Sequence, residues 1–251
     1  MKEEEKIATL IFDKFSRSRK NIDFLVSFIS KKLKKKTVPF VGRVGKKLGK
    51  IILQKKFSWQ SLFFNLWKKS LTKKRNKFNV PEKFEVFCLL INALSEILKK
   101  ERKEVKNFVV SLVHTLDNWA VVDTLAIRVV ASLAVEEKEE IFSLMKKWRS
   151  SKNKWVRRLS AVTITAFIRA RPQEIKNCLN FLDKMMREKE IEVKKAIAWA
   201  LREISKKNES LTFSYLQKWA KTKDKNATWI VKEGMKKLSE DKKKKLKKLL
   251  S

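Results

Sequence analysis

Glycine and proline are scarce in this chain, with four and three among 251 residues. That is too few to close the tight turns of a sheet protein, and there are no alternating β-branched runs ending in Asn-Gly or Asp-Gly. Histidine occurs once, at His114, and cysteine twice, at Cys88 and Cys178. Three such residues without ligand spacing do not make a metal site. The two cysteines lie far apart within apolar helical patterns, as reduced core residues do, which suits a reducing cytoplasm. No apolar run approaches the roughly 18 residues needed to cross a bilayer. The N-terminus, Met1-Lys-Glu-Glu-Glu-Lys, lacks the apolar core of a secretory signal. Acids are also in short supply: 27 against 62 lysines and arginines, a formal net charge of +35.

Such an excess of one sign repels itself and calls for a polyanionic partner, nucleic acid first and an anionic membrane surface second. A lysine-rich proteome is the competing explanation for the count. Leu, Ile, Lys, Glu, Ala and Arg dominate, mostly good helix formers. Apolar residues recur at three- and four-residue steps, as in Val122, Leu125, Val129 and Leu133 or Ile197, Ala200, Leu201 and Ile204. The expected class is all-α.

The second half repeats itself. Val121-Val-Asp-Thr-Leu-Ala126 aligns with Val156-Arg-Arg-Leu-Ser-Ala161, and that with Val193-Lys-Lys-Ala-Ile-Ala198. A weaker fourth copy is expected from Val231. Periods of this size with two helices per unit predict an α-α superhelix, a HEAT-like solenoid whose stacked repeats share a core and form a concave basic groove. Each block follows a turn, and Asp117-Asn118 and Ser150 to Asn153 offer N-caps. The chain is expected to be one domain over 1–251: less regular helices in 1–105, motif-bearing repeats in 106–235, and a basic helix or tail in 236–251. N-terminal helices are predicted near 2–16, 20–36, 44–56, 59–70 and 81–100. A break falls at Thr37 to Gly42, and a basic loop at Lys73 to Lys77.

There are eight tryptophans. Trp119 and Trp155 open the first two repeated helices and Trp199 lies within the third. Trp119 and Asp123 are four residues apart and share a helical face. By the repeat register, Asp123, Arg158 and Lys195 should line one edge of the groove. Cleaving an N-glycosidic bond builds oxocarbenium-like charge on the sugar. A nearby carboxylate stabilises that charge and can orient the attacking water, a preorganised electrostatic contribution. A base already cationic through alkylation leaves as a neutral molecule, so no general acid is needed. Arg and Lys would hold phosphates, and indole faces would pack on deoxyribose. The plain readings stay open: Asp123 as a salt-bridge partner of Arg158, Arg157 and Arg158 as a solvated helix face, Lys194 and Lys195 as a generally basic surface, and each tryptophan as packing.

Three strings carry a family resemblance. Asp117-Asn-Trp-Ala-Val-Val-Asp-Thr-Leu-Ala126, Trp155-Val-Arg-Arg158 with Ser160-Ala-Val162, and Lys195-Ala-Ile-Ala-Trp-Ala-Leu-Arg-Glu-Ile-Ser205 resemble, in order, the motifs of the AlkD-like DNA alkylation repair family of HEAT-like repeat glycosylases. The resemblance implies excision of cationic N3- and N7-alkylated purines from duplex DNA, without cofactor or metal, by a monomer that does not engage membranes. It implies Asp123 as the catalytic carboxylate, Trp119 and Trp199 against the lesion's deoxyribose, and Arg158 and Arg202 on the backbone. Trp155, Arg157, Lys194 and Lys195 complete the expected DNA-binding set. Ala120 and Ala198 stand where family members often carry aspartate and glycine, and Phe40-Val-Gly-Arg-Val-Gly45 resembles the family's glycine-containing segment only loosely. The rival expectation is a non-catalytic HEAT-repeat protein that binds distorted or branched DNA, and a third is a HEAT adaptor for another protein.

Overall fold

A computed structural model describes residues 2–250. They form α-helices joined by short turns, with no strand among the described residues beyond one isolated bridge between Arg75 and Pro81. The chain divides into two compact units, Met1–Val129 and Val130–Ser251.

The first unit holds α1 (Glu3–Arg17), α2 (Ile22–Leu33), α3 (Val38–Gln54), α4 (Gln60–Ser70), α5 (Phe84–Ile97), α6 (Arg102–Leu112) and α7 (Trp119–Leu125). Helices α1, α3, α5 and α7 stack side by side in one layer, and α2, α4 and α6 form the other. Helix α5 is central: every residue from Val86 to Leu94 is buried, as befits a helix that is apolar all round. Trp59 and Trp67 anchor the second layer. Their indole N–H groups donate to Glu101 at 2.7 Å and to Thr115 Oγ1 at 3.0 Å, so neither buried ring strands a donor.

The second unit holds α8 (Ala131–Glu136), α9 (Lys138–Trp148), α10 (Lys154–Ala170), α11 (Ile175–Asp183), α12 (Ile191–Ser205), α13 (Glu209–Ala220), α14 (Lys225–Gly234) and α15 (Glu240–Leu250). Helices α8, α10, α12 and α14 pack in one layer, backed by α9, α11, α13 and α15. The basic C-terminal segment is thus a helix, held by buried Leu246 and by Lys242, which donates to Glu209 at 2.8 Å.

The caps follow expectation at Asn118 and Asn153, whose side chains accept from Ala120 N and Trp155 N. Two boundaries differ. Helix α3 starts at Val38, not 44, because Thr37 caps it and Pro39 sits in its first turn, where a missing N–H costs nothing. Its glycines therefore lie inside the helix, where they allow close approach to α5. The fourth repeat also shifts. Val121, Val156 and Val193 each occupy the third position of their helices, and in α14 that position is Ala227, with Val231 one turn later.

Candidate active site

Three helix faces and one loop of the first unit enclose a cavity of about 670 Å³. From α3 come Val38, Pro39, Gly42, Arg43 and Lys46; from α5 Phe84, Cys88 and Asn92; from α7 Trp119, Ala120, Asp123 and Thr124. Each set recurs at four-residue steps, 38/42/46 with 39/43, 84/88/92, and 119/123 with 120/124, which places it along one side of a helix. The loop after α4 closes the cavity with Asn76 and Val80.

The start of α7 is fixed from below. Asn118 is fully buried and its carboxamide does two jobs: Oδ1 caps Ala120 N at 2.7 Å, and Nδ2 donates to the Asn79 carbonyl of the loop. One residue later, the Trp119 indole donates to the Phe78 carbonyl at 3.2 Å. Trp119 and Asp123 are both half-buried and both line the cavity, as their spacing predicts. Just beyond, residues Ala126–Val130 form a π-helical turn, and Ile127 and Arg128 within it also face the cavity. Such turns are rare and often sit at functional sites.

The lining is largely apolar, with a single acid, Asp123, against the cations Arg43, Lys46 and Arg128, all exposed at their ends. Arg43 also pairs with Glu4 at 2.7 Å. Cys88, on the floor, is a buried thiol whose pKa burial pushes up to about 11; Cys178 is pushed up to about 12 in the same way. Both are uncharged core groups, as expected, and not nucleophiles. No group of three or more His, Cys, Asp or Glu that could hold a metal exists among the described residues, and no helix there is long and apolar enough to cross a membrane.

The remaining predicted residues belong to the second unit. Asp123, Arg158 and Lys195 each occupy the fifth position of their helices, so the repeat register holds, and Trp229 holds that position in α14. The surroundings differ, however. Arg158 is only 6% exposed and does not emerge on an open face: its guanidinium reaches the Glu192 carbonyl and ties α10 to α12. Arg157 is bound in bidentate fashion to Glu188, at 2.7 and 3.1 Å, and donates to the Ser151 carbonyl. Burial pushes the Glu188 carboxyl up, but hydrogen bonds from Arg157 and from the Glu190 backbone outweigh it and hold the group below its ordinary value. Arg202 donates to the Glu233 carbonyl at 3.1 Å. Lys195 pairs with Glu192 at 2.9 Å, and Lys194 reaches Asn226 and lies over the Trp229 ring. Trp155 and Trp199 are half-buried.

The tryptophans thus sort by layer. Trp119, Trp155, Trp199 and Trp229 lie half-buried on α7, α10, α12 and α14, whereas Trp148 and Trp219 are buried on α9 and α13, as are Trp59 and Trp67. Sequence reasoning missed Trp229, Asn92, Arg128 and the whole α3 face. The spacing of residues 38, 39, 42, 43 and 46 and a lone Asn within an apolar helix were the available signals.

The family model described as DNA alkylation repair enzyme matches residues 79–238, more than half of the chain. The chain belongs to the DNA alkylation repair enzyme family. The match takes in α7, α10, α12 and α14, and hence both the Trp119–Asp123 face and the repeat register. Among solved structures, that of AlkD2 from Streptococcus mutans is similar with a TM-score of 0.60 at 18% identity, covering 88% of this chain and 99% of that one. The structure of smu.31 from the same species gives 0.50 at 18% identity, over 94% and 100%. The Pseudomonas fluorescens alkylpurine DNA glycosylase AlkC, bound to DNA containing an abasic site analog, gives 0.47 at 13% identity, over 86% and 61%. Comparison with curated protein sequences gives no match. The likeness to the two Streptococcus mutans structures establishes the helical-repeat fold, and the family match establishes a role in repair of alkylated DNA.

Proposed function

We propose that this family member is a DNA glycosylase that hydrolyses the N-glycosidic bond of cationic N3- or N7-alkylated purines in duplex DNA, acting as a monomer in the cytoplasm. The observation that carries this is the placement of Asp123 and Trp119 together on the wall of a cavity whose other charges are cations. Trp119 packs on the deoxyribose of the damaged nucleotide. As the bond from C1′ to the base nitrogen breaks, its electron pair neutralises the alkylated base, and positive charge collects on the sugar beside the Asp123 carboxylate. Water then attacks C1′ from the side that Asp123 faces and loses its proton to that carboxylate or to solvent. No general acid is required, because the departing base is neutral. Trp155 and Trp199, half-buried on the second unit, supply further DNA contacts. Arg157, Arg158 and Arg202 serve chiefly to hold the repeat helices that carry them, and Lys194 and Lys195 add positive field.

Replacing Asp123 with Asn removes the charge but keeps the shape. Losing one preorganised electrostatic contact of this kind costs about 10²–10³ in rate. Single-turnover release of 7-methylguanine from methylated duplex should therefore fall at least about 100-fold in D123N, while duplex affinity changes little. Equal release by the two proteins removes the catalytic role. A second reading, binding of distorted DNA without base release, is favoured by the inward engagement of Arg157, Arg158 and Arg202; wild-type protein that binds but frees no base would establish it.

A further inference from the structure

The loop between α4 and α5 carries the most exposed large apolar side chain among the described residues, Phe78, at 66% exposure. Nothing assigned so far uses it. An exposed phenylalanine costs little if solitary, but this one is held in place by its own backbone. Its N–H donates to Asn76 Oδ1 at 2.9 Å, and its carbonyl accepts from the Trp119 indole. The next residue, Asn79, takes a left-handed backbone (φ 57°) and its carbonyl accepts from Asn118. Arg75 completes the attachment through a 2.6 Å ion pair to Asp117. Three consecutive residues at the start of α7, Asp117, Asn118 and Trp119, therefore fix the loop, and the last of them lines the candidate site.

The loop's chemistry matches a nucleic acid. Lys73, Lys74 and Lys77 are exposed along it, and the Lys77 ammonium lies 5.1 Å from the Phe78 ring centre. Asn76 and Val80, which flank Phe78, line the cavity that holds Asp123, so the loop that carries the ring borders that cavity. An aromatic ring beside cations is how proteins contact a base and its phosphates together, and apolar side chains inserted between base steps unstack them, at least cost where the duplex is already damaged. We infer that the segment from Lys73 to Val80 is a DNA-reading element, and that Phe78 stacks on a base next to the damaged nucleotide, where the duplex is locally open. The inference rests on the proposed binding of damaged duplex at this cavity, but not on base release. Trp119 then has two duties: its ring faces the cavity while its N–H sets the height of the loop.

The test is binding of the full chain to two fluorescent duplexes, one with a tetrahydrofuran abasic-site analogue and one intact. Stacking on one base accounts for about a tenfold effect on affinity. Phe78→Ala should lose about tenfold on the abasic duplex and less than twofold on the intact one, and Phe78→Trp should keep the preference. A 2-aminopurine placed beside the abasic site should be quenched by the wild type and by Phe78→Trp, but not by Phe78→Ala. If Phe78→Ala binds both duplexes as the wild type does, or quenches equally, the inference is wrong. The two proposals fail separately: Asp123-dependent base release with an indifferent Phe78 overturns only this one. A Phe78-dependent preference without any base release overturns only the glycosylase assignment.

Discussion

Gly45→Ala tests the closest packing on which the candidate site depends. A Cβ at Gly45 would lie 2.5 Å from the Leu89 carbonyl oxygen and 2.8 Å from Asn92 Cβ. The first of these is backbone and cannot rotate away, so α3 and α5 would have to part by about 1 Å, an overpacking that costs about 1–3 kcal/mol. Helix propensity works the other way, since Ala is favoured over Gly by about 1 kcal/mol in a helix interior. The net expectation is a loss of up to about 2 kcal/mol. Gly49 is in the same position, 2.5 Å from the Ala93 carbonyl, but one separation of the helices relieves both clashes. The double variant should therefore lose less than the sum of the singles. Gly42→Ala is the control. There the nearest atom is Asn92 Oδ1 at 3.3 Å, a side chain that can move, and the new methyl projects at the cavity floor. Its stability should match or exceed the wild type while 7-methylguanine release falls. Urea unfolding followed by tryptophan fluorescence reads the difference, with Trp59 and Trp67 reporting on the first unit. A Gly45→Ala protein more stable than the wild type, by the about 1 kcal/mol that helix propensity alone would give, would refute the account of why α3 and α5 lie so close.

Two predictions concern the second unit. Arg158→Ala should lower stability by about 1.5–3 kcal/mol, the range for a hydrogen bond to a charged group. Arg158→Lys should not restore it, because a single ammonium cannot match the guanidinium fork; urea midpoints decide, and an unchanged midpoint would return Arg158 to the DNA-facing surface. Hydrogen bonds from Lys242 and from Ser239 hold the Glu209 carboxyl down at about 2, well below its ordinary 4.5. A carboxyl with a lowered folded-state pKa stabilises the fold above its unfolded value and loses that effect as pH falls through the folded one. Relative to Glu209→Gln, the wild type should therefore lose thermal stability as pH drops from about 5 to about 2, and curves that stay parallel would contradict it.

The sequence carried the helical class because scarce Gly and Pro leave a long chain few other regular structures, and it carried the repeat register because Val121, Val156 and Val193 keep one position in three helices. It also carried the Trp119–Asp123 face, since a spacing of four is unambiguous on a helix. It could not carry the other walls. Arg43, Lys46 and Asn92 come from helices distant in sequence, and only the approach of α3 to α5, which Gly45 and Gly49 allow, makes their faces neighbours. Nor does periodicity reveal burial: Asp123, Arg158 and Lys195 share a register position, yet Arg158 is buried and Lys195 is exposed beside Glu192. The π-helical turn after Leu125 has no composition of its own, so Arg128 was not foreseeable at the cavity.

Formal charge also says less than the placement of each cation. Arg157 is committed to Glu188, Arg158 to the Glu192 carbonyl and Arg202 to the Glu233 carbonyl. Each contributes to the field around the protein, but gripping a phosphate would require giving up a bond that ties its helix to a neighbouring helix or, for Arg157, to the loop before α12. Lys46, Arg128, Lys73, Lys74 and Lys77 have exposed ends, so under the proposed function phosphate contacts near the site fall to them. Under the proposed function this division has a chemical consequence. Phosphates that neutralise those cations leave the Asp123 carboxylate to dominate the field along an otherwise apolar wall, where a low dielectric strengthens it. A cationic alkylpurine nucleotide is attracted there and an ordinary guanine is not, so discrimination between damaged and normal bases follows from charge before any contact to a base edge is made.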